Sequence, residues 1–249
     1  MKRINGVEMK KPEMILFDYG GTLVTEPQWD YLSGEKAVFK HIIKNPRCAT
    51  PQQLNDFSIE LFPEYEQCRR GGFEPVSIQQ LKYKYAYFNI EFDTDYEEIQ
   101  QILWNHTSKS VPLPHIEELL DYLNESGIRT GIISNTGWTE PALKHRLSSV
   151  FPNHRFEFVV VSSEYGFRKP NKRLFNLAVR KACLNPDAIW YCGDDVCCDI
   201  QGAFHSGMFP ILYENERQNE NPYARKADVL ELGFDYLHIN DWRELKNLI

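Results

Sequence analysis

Five short apolar runs recur along this chain, at 14–17, 131–133, 158–161, 189–192 and 209–212, and a weaker sixth lies at 236–239. Runs this short, rich in Ile and Val and bounded by turn residues, read as strands buried on both faces. Between the later runs lie segments of helical spacing. One covers 115–124 and stops before Gly127; another covers 172–182, follows Pro170 and sets Leu174, Phe175, Leu177 and Ala178 on one face. Strand alternating with helix restricts the chain to an α/β architecture, a Rossmann-like parallel sheet between two helical layers. Residues 29–110 break the alternation and read as four helices, 35–44, 51–67, 77–88 and 96–107, interrupted at Asn45-Pro46, Gly71-Gly72 and Asp93. The chain therefore divides into a core domain of residues 1–27 and 111–249 and a helical cap domain of residues 28–110. A cap inserted after the first strand suits a lid over the sheet's carboxyl edge, where such folds bind ligands.

The 249 residues suffice for one large domain or two modest ones. With 28 Lys and Arg against 35 Asp and Glu, the formal charge is −7, and an acidic chain of this kind is unsuited to nucleic acid or anionic lipid. No stretch approaches the roughly eighteen apolar residues of a membrane span. The start of the chain is charged, without the apolar centre of a secretory signal. None of the six cysteines falls in a C-x-x-C pair, and the adjacent Cys197 and Cys198 read as small buried hydrophobes. These features together predict a cytoplasmic protein with reduced thiols.

Four places carry residues with chemical potential. The first strand ends in Asp18-Tyr19-Gly20-Gly21-Thr22, a carboxylate beside backbone that glycine allows a ligand to approach. The second ends in Ser134-Asn135-Thr136-Gly137, a hydroxyl and an amide before a helix start, suited to an anion or to a helix cap. Lys169 lies between Gly166 and Pro170 just before a helix. After the strand at 189–192, Asp194, Asp195 and Asp199 place three carboxylates within six residues. Like charges that close repel unless a cation neutralises them, and a hard divalent cation is the economical answer.

In this order, Asp18, Ser134, Lys169 and the acidic cluster resemble the four motifs of the haloacid dehalogenase superfamily of hydrolases, and the resemblance extends from about residue 14 to residue 212. It implies that Asp18 is a nucleophile forming an aspartyl-phosphate on a small phosphorylated metabolite. It implies Mg²⁺ held by Asp18, the backbone carbonyl of Gly20 and Asp194, with Asp199 and Asp195 anchoring the metal's waters. Ser134 and Asn135, with the Gly21 and Thr22 turn, would bind the phosphoryl group, and Lys169 would neutralise charge shared with Asp18.

Gly20 departs from the family pattern, which has a second Asp there to protonate the leaving group and activate water. General acid–base help of this kind is typically worth about 10²–10⁴-fold. Four readings follow. The first is a phosphatase drawing its acid from elsewhere. The second is a non-phosphatase hydrolase, including a phosphonatase-like one using a cap lysine (Lys36, Lys40, Lys44, Lys82 or Lys84). A phosphomutase or other phosphotransferase is the third, and a non-catalytic phosphate-binding protein the fourth. Asp30, at the entry to the cap, offers a substitute carboxylate or a helix cap. Arg69 and Arg70, beside Gly71-Gly72, would either clamp a second anionic group of the substrate or end a helix as favourably placed cations. Tyr83, Tyr85 and Tyr87 alternate, which on a helix forces some of them outward, to the cap–core seam or to a homodimer contact.

Overall fold

The computed structural model describes residues 2–4, 7–214 and 232–249. Six strands form one sheet: β1 (Met14–Phe17), β2 (Arg129–Ser134), β3 (Phe156–Val161), β4 (Ile189–Gly193), β5 (Phe209–Tyr213) and β6 (Leu237–Ile239). Their order across the sheet is β6-β5-β4-β1-β2-β3, and every neighbouring pair is parallel. All four residues of β1 are buried.

Period-two alternation sends the side chains of β1 to two cores. Ile15 and Phe17 join the layer of helices α5 (Ile116–Glu125), α6 (Glu140–Val150) and α8 (Trp242–Leu248), against Leu120, Leu143 and Trp242. Met14 and Leu16 face α7 (Lys172–Ala182) through Leu174, Phe175 and Ala178. Because all strands point the same way, the residues that follow β1, β2, β3 and β4 meet along one carboxyl edge.

The inserted segment supplies α1 (Tyr31–Val38), α2 (Pro51–Arg70), α3 (Ser77–Tyr87) and α4 (Tyr96–Thr107), packed around Val38, Leu54, Leu81, Tyr85, Ile99 and Leu103. The helix expected at 35–44 is different: Asp30 accepts the Ser33 N–H at 2.9 Å and starts α1 earlier, and α1 ends at Val38. After a single tight turn, Ile42–Lys44 is a strand paired with Glu91–Phe92, because two β-branched residues favour extended backbone. Thr50 and Gln53 cap α2 reciprocally, and Pro51 fills its first position. Of the three alternating tyrosines, Tyr85 is buried, while Tyr83 and Tyr87 are exposed and flank Phe57. Inside this layer the ammonium of Lys84 is paired with Glu35, which also accepts the Tyr85 hydroxyl at 2.9 Å.

The chain leaves the core through Val24–Thr25 and returns through Val111–Pro112, and these two segments pair antiparallel. Beside them, the buried guanidinium of Arg146 reaches Glu26 at 2.8 Å and Ser110 Oγ at 3.1 Å, and Ser110 lies 2.6 Å from the Tyr19 hydroxyl. Arg146 also lies over the Trp104 ring, which stacks on Trp138 at 4.8 Å. Among the described residues no helix is long and apolar enough to cross a membrane.

The crossing of α1 over α4 depends on Gly34. A Cβ there would stand 2.3 Å from Thr107 Oγ1 and 2.8 Å from the Leu103 carbonyl oxygen. Helix propensity alone makes Gly→Ala stabilising by up to about 1 kcal/mol. Overpacking costs about 1–3 kcal/mol, so Gly34→Ala is expected to lower the urea midpoint. A raised midpoint would contradict this close crossing.

Candidate active site

Asp18 is the first residue beyond β1, and its N–H continues the ladder to the Cys192 carbonyl oxygen at 2.9 Å. The pairing of β1 with β4 thus fixes its backbone. The loop that follows is compact: Leu23 N–H reaches the Tyr19 carbonyl at 2.9 Å, and Gly21 N–H reaches that of Val24 at 2.8 Å. Gly21 has φ +79°, and a Cβ on it would lie 2.2 Å from Asp194 Oδ2. The glycine therefore serves the turn and the approach of Asp194 together. Gly20 differs, being exposed with nothing within 4 Å of where its Cβ would stand.

Lys169 enters from the loop before α7, and its ammonium is buried. It lies 2.6 Å from Asp18 Oδ1 and 2.6 Å from Asp199 Oδ1, and donates to the Tyr191 hydroxyl at 2.9 Å and the Ile133 carbonyl at 3.1 Å. Burial alone would lower its pKa, but the carboxylates of Asp18 and Asp199 outweigh burial and raise it, so the ammonium stays charged. Asn135 fixes the backbone of Lys169 from both sides: its Oδ1 accepts the Lys169 N–H at 2.7 Å, and its Nδ2 donates to the Lys169 carbonyl at 3.2 Å.

Asp194 follows β4, and Asp199 lies in the wide π-type turn Val196–Gln201. That turn folds Asp199 back against Gly193, where a Cβ would stand 2.3 Å from its carboxyl carbon. Asp18, Asp194 and Asp199 bring one carboxylate oxygen each within 4.8 Å of one another. Burial pushes Asp194 well above the usual carboxylate range, and the charges of Asp18 and Asp199 add to it. Burial likewise lifts Asp199 to about 6, against the pull of Lys169. Three carboxylates against one ammonium leave the site short of positive charge, which fits a divalent cation. Asp199 has Oδ1 on Lys169 and Oδ2 on the Asp195 N–H at 3.1 Å, so Asp18 and Asp194 are the better placed to face that cation.

Ser134 ends β2 at the same edge and is buried. Thr22 donates its hydroxyl to Asp194 at 3.3 Å, so it orients a carboxylate. Asp195 stands outside the carboxylate cluster; its Oδ1 accepts the Cys198 N–H at 2.7 Å and caps the turn. Asp30 is occupied with capping α1. The Arg69–Arg70 clamp is revised: Arg69 is already neutralised by Glu66 at 2.6 Å and Glu74 at 3.4 Å, and Arg70 is exposed on the last turn of α2. Among the cap lysines, Lys44 pairs with Glu91, Lys84 with Glu35, and Lys82 lies over Tyr96, while Lys36 and Lys40 are exposed. All six cysteines are free, and Cys197 is exposed rather than buried. Tyr191 and Glu74 escaped the sequence reading. The first lies inside an apolar strand run, and the second had no signal beyond its place after Gly71-Gly72.

Two outcomes follow from this geometry. Folded Asp194 and Asp199 hold protons more tightly than they do unfolded, so the unfolded chain ionises first as pH rises. Without a divalent cation the contribution of Asp199 to stability is expected to fall from the ordinary Asp range near pH 4 up to about pH 6, and Asp194 adds to the loss in the same direction. The gain in melting temperature on adding Mg²⁺ should grow across that window, and a gain that stays flat would contradict the carboxylate site. Gly21→Ala, by driving a Cβ into Asp194, is expected to weaken Mg²⁺ binding about 10–100-fold by calorimetry.

Residues 15–212 match the family described as haloacid dehalogenase-like hydrolase. A protein of Methanothermobacter thermautotrophicus named glyceraldehyde 3-phosphate phosphatase is 34% identical over 138 residues, spanning 55% of this chain and 58% of that protein's length. A protein of the same name from Pyrococcus furiosus is 23% identical over 94% of this chain and 89% of its own. Among solved structures, a dehalogenase with an intermediate complex superposes with a TM-score of 0.58 at 17% identity, covering 97% of this chain and 99% of that one, which shows the shared fold. The chain belongs to the haloacid dehalogenase-like hydrolases.

Proposed function

We propose that this chain is a Mg²⁺-dependent phosphatase of small phosphorylated metabolites, that Asp18 is its nucleophile, and that residues 28–110 act as its cap. The observation that carries the reading is the contact of Asp18 with the buried ammonium of Lys169, with Asp194 beside it. A carboxylate at the carboxyl end of the central strand, held at one oxygen by a cation, keeps its other oxygen for attack. The donor set fits Mg²⁺, which asks for only one or two carboxylates. Asp18 and Asp194 would hold it, and it would supply positive charge opposite the phosphoryl oxygens.

The chain's own residues account for the rest. Asp18 attacks phosphorus, the bond from phosphorus to the ester oxygen breaks, and the departing oxygen takes a proton from solvent. Water then attacks the same phosphorus and releases a proton to solvent, the bond to Asp18 breaks, and phosphate leaves with the carboxylate restored. Lys169 keeps its proton throughout and offsets charge on Asp18 and the phosphoryl group, while Asp199 and Tyr191 hold it in place. Ser134 is the candidate donor to a phosphoryl oxygen. Gly20 offers no side chain for the proton transfers, so esters with acidic leaving groups are the better substrates. With relatives named glyceraldehyde 3-phosphate phosphatase, triose phosphates head the panel of metabolites to test. Of the cap lysines offered for a Schiff-base route, Lys44 and Lys84 are committed to ion pairs.

Hydrolysis of p-nitrophenyl phosphate is expected to require Mg²⁺ and to fall roughly a thousandfold or more in Asp18→Asn. Near wild-type turnover in that variant would rule out the nucleophile. Gly20→Asp has open space for its side chain. It is expected to raise turnover of alkyl phosphates by up to about 10²–10⁴-fold, with a smaller gain on the activated aryl ester. No gain in a folded variant that binds Mg²⁺ would assign the proton transfers to another group.

A further inference from the structure

Between α2 and α3, residues 72–74 run alongside residues 166–168 of the core. Glu74 N–H donates to the Gly166 carbonyl at 2.9 Å, Arg168 N–H to that of Gly72 at 3.1 Å, and Phe73 bridges Phe167. The seam covers a carboxylate. The side chain of Glu74 is 0% exposed and is bound by the Arg168 guanidinium, by Arg69 and, at 2.6 Å, by the Ser162 hydroxyl. An ion this thoroughly removed from water persists only where its hydrogen bonds are met, and here three groups meet them.

Two of those partners lead to the active site. Arg168 precedes Lys169 in the chain. Ser162 Oγ accepts the Thr136 N–H at 2.9 Å, and Asn135, the neighbour of both Thr136 and Ser134, holds the Lys169 backbone through its amide oxygen and its amide nitrogen. Glu74 thus grips both segments that carry the phosphate-facing candidates, one through Arg168 and the other through Ser162. None of its bonds needs substrate. They need only that the cap loop be docked.

We infer that Glu74 is a positioning residue through which docking of the cap loop sets the segments bearing Ser134 and Lys169. Its catalytic half rests on the phosphatase reading; its structural half does not. The test compares the full-length protein with Glu74→Ala and with Glu74→Gln, which keeps the shape and one acceptor. At a temperature well below melting, Glu74→Ala is expected to lower kcat for p-nitrophenyl phosphate about 10–100-fold, with KM changed less than about threefold, and Glu74→Gln to recover part of the loss. Amide hydrogen exchange, which needs no substrate, is expected to quicken at Thr136 and Lys169 as well as at Glu74. Unchanged exchange at Thr136 and Lys169 overturns the inference, as does unchanged kcat in an active protein. If the wild type hydrolyses nothing with Mg²⁺, the phosphatase reading fails and the exchange measurement alone decides whether Glu74 reaches the site.

Discussion

The ammonium of Lys169 lies in a space walled by Asp18, Asp199, Tyr191 and the carbonyl of Ile133, each from a different segment. A buried cation in such a space draws its surroundings into one arrangement, because each acceptor left without it would carry an unmet charge or lone pair. The strand β1 delivers Asp18, β4 delivers Tyr191, β2 delivers Ile133, and the turn after β4 bends back to deliver Asp199. Sheet order and the position of one nitrogen atom are therefore a single constraint. In the sheet β1 lies between β4 and β2, so Asp18 comes to that nitrogen from between the strands that carry Tyr191 and Ile133.

Close packing around the carboxylates follows from the same demand. At Gly21 and at Gly193 a methyl group would collide with Asp194 and with Asp199. The two glycines are spaces that acidic side chains fill. Gly20 has no such neighbour, and its openness is of another kind: room at the surface of the site where a side chain would find no obstacle. One sequence, Gly20-Gly21, thus serves opposite ends within two residues.

Much of the sheet was legible because buried parallel strands need unbroken apolar runs, and Asp18, Ser134 and Asp194 stand where those runs stop. The helix of residues 172–182 was legible from its one apolar face and the proline before it. The first cap helix was misread, since the Asp30 cap starts it early and the Ile42–Ile43 pair takes extended backbone against a partner about fifty residues away, which local spacing does not reveal. Long-range partners explain the remaining gaps. Tyr191 looks like a core aromatic until Lys169 reaches its hydroxyl, and Arg69 looks like a free cation until Glu74 folds beside it. Arg146 gives no local sign of Glu26, 120 positions earlier in the chain. The acidic cluster overstated its own unity, because Asp195 caps a turn while its neighbours face inward.

The paired segments Val24–Thr25 and Val111–Pro112 have a consequence of descent. They bring the two ends of a long excursion side by side, so the parent sheet sees only a short gap, whatever lies beyond it. Chain entropy is tolerant of such excursions, since doubling a flexible loop adds only about 0.6 kcal/mol to its closure. Over descent, length can be gained or lost past that junction without rethreading a strand of the sheet. The junction is a socket whose two contacts are adjacent, however much chain is plugged into it.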